Sequence, residues 1–167
     1  MADERRDGLT LDVVDMHTAG EPARIVVGGY PRLDGATILD KRRDALERHD
    51  HLRRILMHEP RGHAGMYGVI PVEPSAAAKA QGASLACLFT HASGYSTMCG
   101  HATIAFARFA VERGLLAAPT NGVARFGLEL PCGVVQAEAR LENGAVVATA
   151  FESVPAFVAE RDVAVEV

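Results

Sequence analysis

Tryptophan is absent from the chain, and its six phenylalanines and three tyrosines make up only 5% of it. So few aromatic faces exclude the stacking platforms on which single-stranded nucleic acid is held. A basic surplus is missing too. Lysine and arginine total 17 against 21 aspartates and glutamates, a net charge of −4, so no field draws in nucleic acid or an anionic membrane. No apolar run reaches the length of a membrane span, and the amino end, Met1-Ala2-Asp3-Glu4-Arg5-Arg6-Asp7, lacks the hydrophobic core of a signal peptide. Cysteine is scarce: three residues, widely spaced, give neither a disulfide framework nor zinc-ligand pairs, and fit a reducing cytoplasm. What remains is 167 residues, 49% hydrophobic, enough for one ordinary domain whose partners are small solutes.

The pattern reads as α+β. Alternation over residues 9–15 and 23–27 predicts two strands joined by His17-Thr18-Ala19-Gly20-Glu21-Pro22, a polar turn whose His17, Thr18 and Glu21 read as satisfying backbone groups. Residues 37–57 predict one amphipathic helix. Ile38, Leu39, Leu46, Leu52, Ile55 and Leu56 form its apolar stripe, while Asp40, Lys41, Arg42, Arg43, Asp44, Glu47, Arg48 and Arg53 face water. His49 and His51, two apart, point to different sides and read as surface residues.

A loop over 58–68 is followed by strands over 69–73 and 83–90, with a surface connection between them. Cys87 reads as packing and His91, at the strand's exit, as solvated. Strands over 123–130, 133–141 and 145–151 come next, turning at Pro131-Cys132-Gly133 and at Asn143-Gly144. Residues 153–158 and 163–167 predict further strands, so that the chain ends inside an alternating run as a truncated longer protein would.

One stretch carries chemistry: Gly94-Tyr95-Ser96-Thr97-Met98-Cys99-Gly100-His101-Ala102-Thr103. It delivers a cysteine to the first turn of a helix that stays apolar through Val111 and stops at Glu112-Arg113-Gly114. Apolar all round, that helix predicts a domain centre, with a curved, mostly antiparallel sheet wrapped about it. The free N–H groups and partial positive charge at its start favour an anion. Two readings of Cys99 stand side by side. It is a small buried hydrophobe, or it is a low-pKa thiolate beside which the N–H groups of Gly100 and His101 hold a substrate carboxylate. A cysteine hydrolase using Cys99 and His101 is set aside, because neighbouring positions in one helical turn do not put imidazole against thiol.

Three motifs in register, Asp15-Met16-His17-Thr18-Ala19-Gly20-Glu21-Pro22, Met57-His58-Glu59-Pro60-Arg61-Gly62-His63-Ala64-Gly65-Met66-Tyr67-Gly68 and the Cys99 stretch, resemble the proline racemase family. Tyr67, Ser96-Thr97, Ala102 and Pro131-Cys132-Gly133 look most like its trans-3-hydroxy-L-proline dehydratases. The resemblance implies one lobe of a two-lobed fold of the proline racemase and diaminopimelate epimerase kind, each lobe a sheet around a central helix, with the active site between the lobes. Residues 1–155 would be the first catalytic lobe and 156–167 the start of a crossover to a second lobe absent from this chain. That lobe's Asp-Arg-Ser-Pro run, leading to Cys in racemases and epimerases and to Thr in dehydratases, is missing.

The resemblance further implies Cys99 as catalytic base and Gly100 and His101 as carboxylate donors. Tyr67 would line the proline-ring pocket, and His63 or the His101 side chain would orient the sulfur or help a hydroxyl to leave. Neither metal nor pyridoxal phosphate is implied. The partner is a small molecule, hydroxyproline or proline, and not nucleic acid or membrane. The expected reaction is dehydration of trans-3-hydroxy-L-proline to Δ1-pyrroline-2-carboxylate, by a lobe inactive alone. Epimerase or racemase activity is the alternative, and a non-catalytic half-enzyme that pairs as a homodimer or binds a partner is another.

Overall fold

The computed structural model describes residues 8–161, 163 and 164. The charged amino-terminal stretch and the last three residues of the strand expected over 163–167 lie outside the described residues. One sheet holds seven strands: β1 (Asp12–Thr18), β2 (Glu21–Gly28), β3 (Tyr67–Val72), β4 (Ala83–His91), β5 (Gly122–Leu130), β6 (Gly133–Glu142) and β7 (Ala145–Phe151). Their order in space is their order in the chain. Helices α1 (Ile38–Arg48), α2 (Asp50–Met57), α3 (Ala76–Ala80) and α4 (Gly100–Glu112) fill the longer connections.

Two tight turns fix register where the sequence allows it. Ala19 and Gly20 take φ of 51° and 98°, and Asn143 and Gly144 take 52° and 80°; these paired positive values belong to the two-residue turn that matches the twist of a hairpin. The pairs Thr18↔Glu21 and Glu142↔Ala145 close directly over them.

Strands β2 and β3 are parallel, as are β4 and β5, while β3 and β4 are antiparallel. The two parallel pairs therefore point in opposite directions, yet both crossovers step the same way across the sheet. Right-handed crossovers must then lie on opposite faces. That is the arrangement found. Val26, Ile70 and Leu88 pack with Ile38, Ala45, Leu56 and Met57 of α1 and α2. Their chain neighbours Ile25, Val69 and Phe89 point the other way and pack with Ala102, Phe106 and Phe109 of α4. The sheet curves around α4, which touches β1, β2, β3, β6 and β7. Eight of its thirteen residues are buried, and each large apolar side chain so enclosed contributes about 1.5–3 kcal/mol. Gly114, at φ 67°, ends it: its N–H donates to the Val111 carbonyl and that of Leu115 to Ala110, the double closure for which a left-handed glycine is suited.

Four expectations need correction. Residues 37–57 form two helices, because the chain turns at His49 (φ −126°, ψ 10°) and restarts at Asp50. Leu39 and Leu46 of the expected stripe are exposed, whereas Asp44 and Arg53 of the expected wet face are 8% and 6% exposed; their polar ends turn inward to bond loop atoms. The connection before β4 contains α3, capped by Ser75, whose N–H and hydroxyl both donate at 2.7 Å to the buried Glu129 carboxylate. Residues 153–158 form no strand: Pro155 cannot donate to a ladder, and β7 pairs with β6 alone.

Candidate active site

One end of strands β2 to β4 gathers most of the groups of interest. Because β3 runs antiparallel to β4, the start of β3 lies beside the end of β4, and Tyr67 pairs with His91. Strand β2 is parallel to β3, so the β1–β2 hairpin sits at the same end. There the chain leaves β4, loops over residues 92–99 and enters α4. The carboxyl end of a strand followed by a crossover helix is where parallel units leave room for a ligand.

Cys99 is the N-cap of α4, in extended conformation (φ −148°, ψ 109°) and 7% exposed. Its carbonyl accepts the Thr103 N–H at 3.0 Å and the Thr103 hydroxyl at 2.8 Å, which locks the residue to the first turn. Its sulfur lies 3.4 Å from His101 Nδ1 and 3.8 Å from Nε2. The spacing argument against such a contact fails because Cys99 is not helical; an extended N-cap swings its side chain over the first turn, where His101 meets it. The imidazole is oriented from behind: Nε2 lies 3.2 Å from the Pro22 carbonyl. A carbonyl only accepts, so a neutral ring carries its proton on Nε2, and the sulfur, at similar distances from both nitrogens, lies over the ring. Thr18 completes the clamp, its hydroxyl donating to the His101 carbonyl at 2.8 Å.

Burial pushes the Cys99 thiol above its ordinary pKa, and the Glu21 carboxylate adds to the rise. The N–H groups of Ala102 and His101 pull the other way, although neither makes a capping hydrogen bond to the sulfur. The expectation of a low-pKa thiolate is corrected accordingly: desolvation outweighs the helix start, and the shift runs toward the thiol.

Gly100 begins the helix proper, and its Cα faces the Phe151 ring, which a Cβ there would touch at 3.6 Å. Tyr67 is half-buried and meets the His101 ring edge to face, with centroids 4.7 Å apart and planes at 81°. His63 stands apart: it is exposed, and its ring accepts the Gly65 N–H within its own turn. His91, which reads from the sequence as solvated, is half-buried, and its ring lies 5.4 Å from that of Tyr67. Burial and the nearby Arg53 charge hold its pKa below the ordinary value. Only the cross-strand register, which pairs a residue 24 positions earlier, reveals it. Cys87 is fully buried, as expected for packing, and Cys132 is half-buried in the β5–β6 turn against the same core. A cavity of about 790 Å³ opens at the opposite end of β3 and β4 between Tyr30, Lys41 and Leu115, away from the sulfur. Among the described residues no three His, Cys, Asp or Glu converge as a metal site, and no helix is long and apolar enough to cross a membrane.

The sequence pattern of the proline racemase family matches residues 13–167. A trans-L-3-hydroxyproline dehydratase of Xenopus tropicalis is 47% identical over 161 residues, which cover 96% of this chain and 45% of the relative. The human trans-3-hydroxy-L-proline dehydratase is 49% identical over 160 residues, covering 94% and 44%. The chain thus spans about half the length of the curated relatives it matches. Among solved structures, a hydroxyproline epimerase from Agrobacterium vitis with bound trans-4-hydroxy-L-proline superposes with a TM-score of 0.82 at 24% identity, covering 93% of this chain and 45% of that one.

Proposed function

Because the chain belongs to the proline racemase family, we propose that it is the first lobe of a two-lobed trans-3-hydroxy-L-proline dehydratase, with residues 156–167 leading to the second lobe. The observation that carries this reading is the Cys99 sulfur at the start of α4, against the His101 imidazole and 3.4 Å from its Nδ1. The dehydratase relatives at 47–49% identity support the choice of reaction.

On this reading the substrate carboxylate takes the Gly100 and His101 N–H groups at the positive end of α4, and the pyrrolidine ring lies against Tyr67. Transfer of the thiol proton to His101 Nδ1 yields a thiolate beside an imidazolium, each stabilising the other. The thiolate removes the proton from C2. In trans-3-hydroxy-L-proline the carboxylate and hydroxyl lie on opposite faces of the ring, so the C2 hydrogen and the C3 hydroxyl share one face. A single sulfur–imidazole pair on that face therefore serves both ends of the elimination. The C2–H electrons form the C2=C3 bond, the C3–O bond breaks, and the imidazolium gives its proton to the departing oxygen, releasing water. The enamine left behind tautomerises to Δ1-pyrroline-2-carboxylate. Neither step needs an acid on the opposite wall. The C2 proton remains far less acidic than a thiol, so the barrier falls through fixed donors at the carboxylate and the exclusion of water by the second lobe.

The test is turnover of trans-3-hydroxy-L-proline by the two-lobed protein carrying this lobe. Cys99→Ser is expected to abolish it, a loss of about 10³-fold or more, with an unchanged melting curve. Full activity in that variant refutes Cys99 as base, and substantial turnover by the lone lobe refutes the need for a second wall.

A further inference from the structure

A continuous set of contacts joins the far face of the sheet to the sulfur. On α2, Arg53 is 6% exposed, and both oxygens of Asp50 hold its guanidinium, at 2.6 Å to Nε and 3.0 Å to Nη2. Its Nη1 donates to the carbonyls of His91, at 3.1 Å, and of Ala92. The Ala92 carbonyl takes a second bond from His58 Nε2 at 2.8 Å. Both carbonyls belong to the turn over residues 91–94, which closes on itself through His91 and Gly94. Within the turn the Ser93 N–H donates to His91 Nδ1 at 3.2 Å and fixes the ring. That ring supports Tyr67, Tyr67 supports His101, and His101 meets Sγ. A surface arginine needs none of this; a buried guanidinium committed to two loop carbonyls sets where that loop stands.

We propose that Arg53 is a positioning residue for Cys99. Anchored by Asp50, it fixes the main chain of residues 91–94 from behind the sheet, and through the His91 and Tyr67 rings it holds the His101 imidazole against the sulfur. It touches neither sulfur nor substrate. The inference rests on the reading that the Cys99–His101 pair is the base, and it adds the group outside the pocket that keeps the pair in register.

The test uses the chain as it is. Cys99 alkylation by iodoacetamide is followed by peptide mass spectrometry between pH 6 and 10, and the ratio of the neutral rate to the alkaline plateau is taken, which cancels differences in access. In Arg53→Gln this ratio falls about fivefold to tenfold as the sulfur loses its fixed imidazole neighbour, whereas Arg53→Lys, which keeps the charge and a donating nitrogen, restores much of it. Cys87 stays unreactive in both. An unchanged Cys99 profile in folded Arg53→Gln overturns the proposal, and so does a parallel rise at Cys87, which reports general loosening. Should Arg53→Gln fail to fold, Asp50→Asn leaves the arginine but frees it, and the ratio must still fall. His101→Asn separates the two readings. A ratio indifferent to it sinks the catalytic pair itself; one that responds to it but not to Arg53→Gln sinks only the role of Arg53.

Discussion

Replacing Gly100 by alanine separates what the fold needs from what the chemistry needs. A Cβ built on Gly100 meets only Phe151 Cζ at 3.6 Å and Cε1 at 3.9 Å, ordinary contact distances, and the residue is the first of α4 with no left-handed strain. Alanine there gains helix propensity and narrows the unfolded ensemble, together worth about 0.5–1 kcal/mol. For a chain of this size that is a melting temperature higher by about 1–4 °C. The same methyl, however, stands beside the N–H groups to which the carboxylate must come, and a displacement of about 1 Å at a reacting centre costs on the order of 10²-fold in kcat/KM. The assay pairs a thermal melt of the lobe with turnover in the two-lobed protein. A melting temperature several degrees lower refutes the packing argument. A stabilised variant with full turnover refutes the view that position 100 must be bare for a ligand.

Two further outcomes follow from the geometry. Glu21 disfavours the thiolate by like charge, so Glu21→Gln lowers the Cys99 pKa, and the neutral-to-alkaline alkylation ratio should rise by roughly twofold at low salt; a fall would mean that the carboxylate acts otherwise. Phe106 is 1% exposed and stacks on Phe109 at 6.2 Å, so Phe106→Ala should cost about 3–5 kcal/mol in urea unfolding, and a loss below about 1 kcal/mol would show that the sheet does not close on α4 as described.

The sequence was legible where local chemistry decides structure. Asn143-Gly144 permits essentially one turn, Gly114 one helix end, and the unbroken apolar run through Val111 one place at the centre of the fold. It was opaque where a partner lies far along the chain. Arg53 and Asp44 look like any charged helix face until carbonyls 38 and 39 residues away, or a backbone N–H of the preceding loop, claim them. Ser75 caps α3 because Glu129, 54 residues on, is buried beneath it. At the site, Cys99 and Tyr67 could be read from their motifs. The contact between Cys99 and His101 could not, since helical spacing was applied to a residue whose φ and ψ are those of a strand. His91 reads from the sequence as solvated because its contact with Tyr67 depends on register, and the His63 of the second motif bonds within its own turn.

Strand order that follows the chain has a consequence for synthesis. Emerging amino end first, as nascent domains do, β1 to β4 can zip together in sequence and offer α4 a finished wall as it arrives. His101, which meets the sulfur, and the groups that hold it, Thr18, Pro22 and Tyr67, have all been joined to the chain by residue 101. Phe151, which lies over Gly100, comes 50 residues later. A growing chain therefore passes through a stage in which the thiol has its companions but not its cover, and it is the last hairpin that shuts the core over the helix.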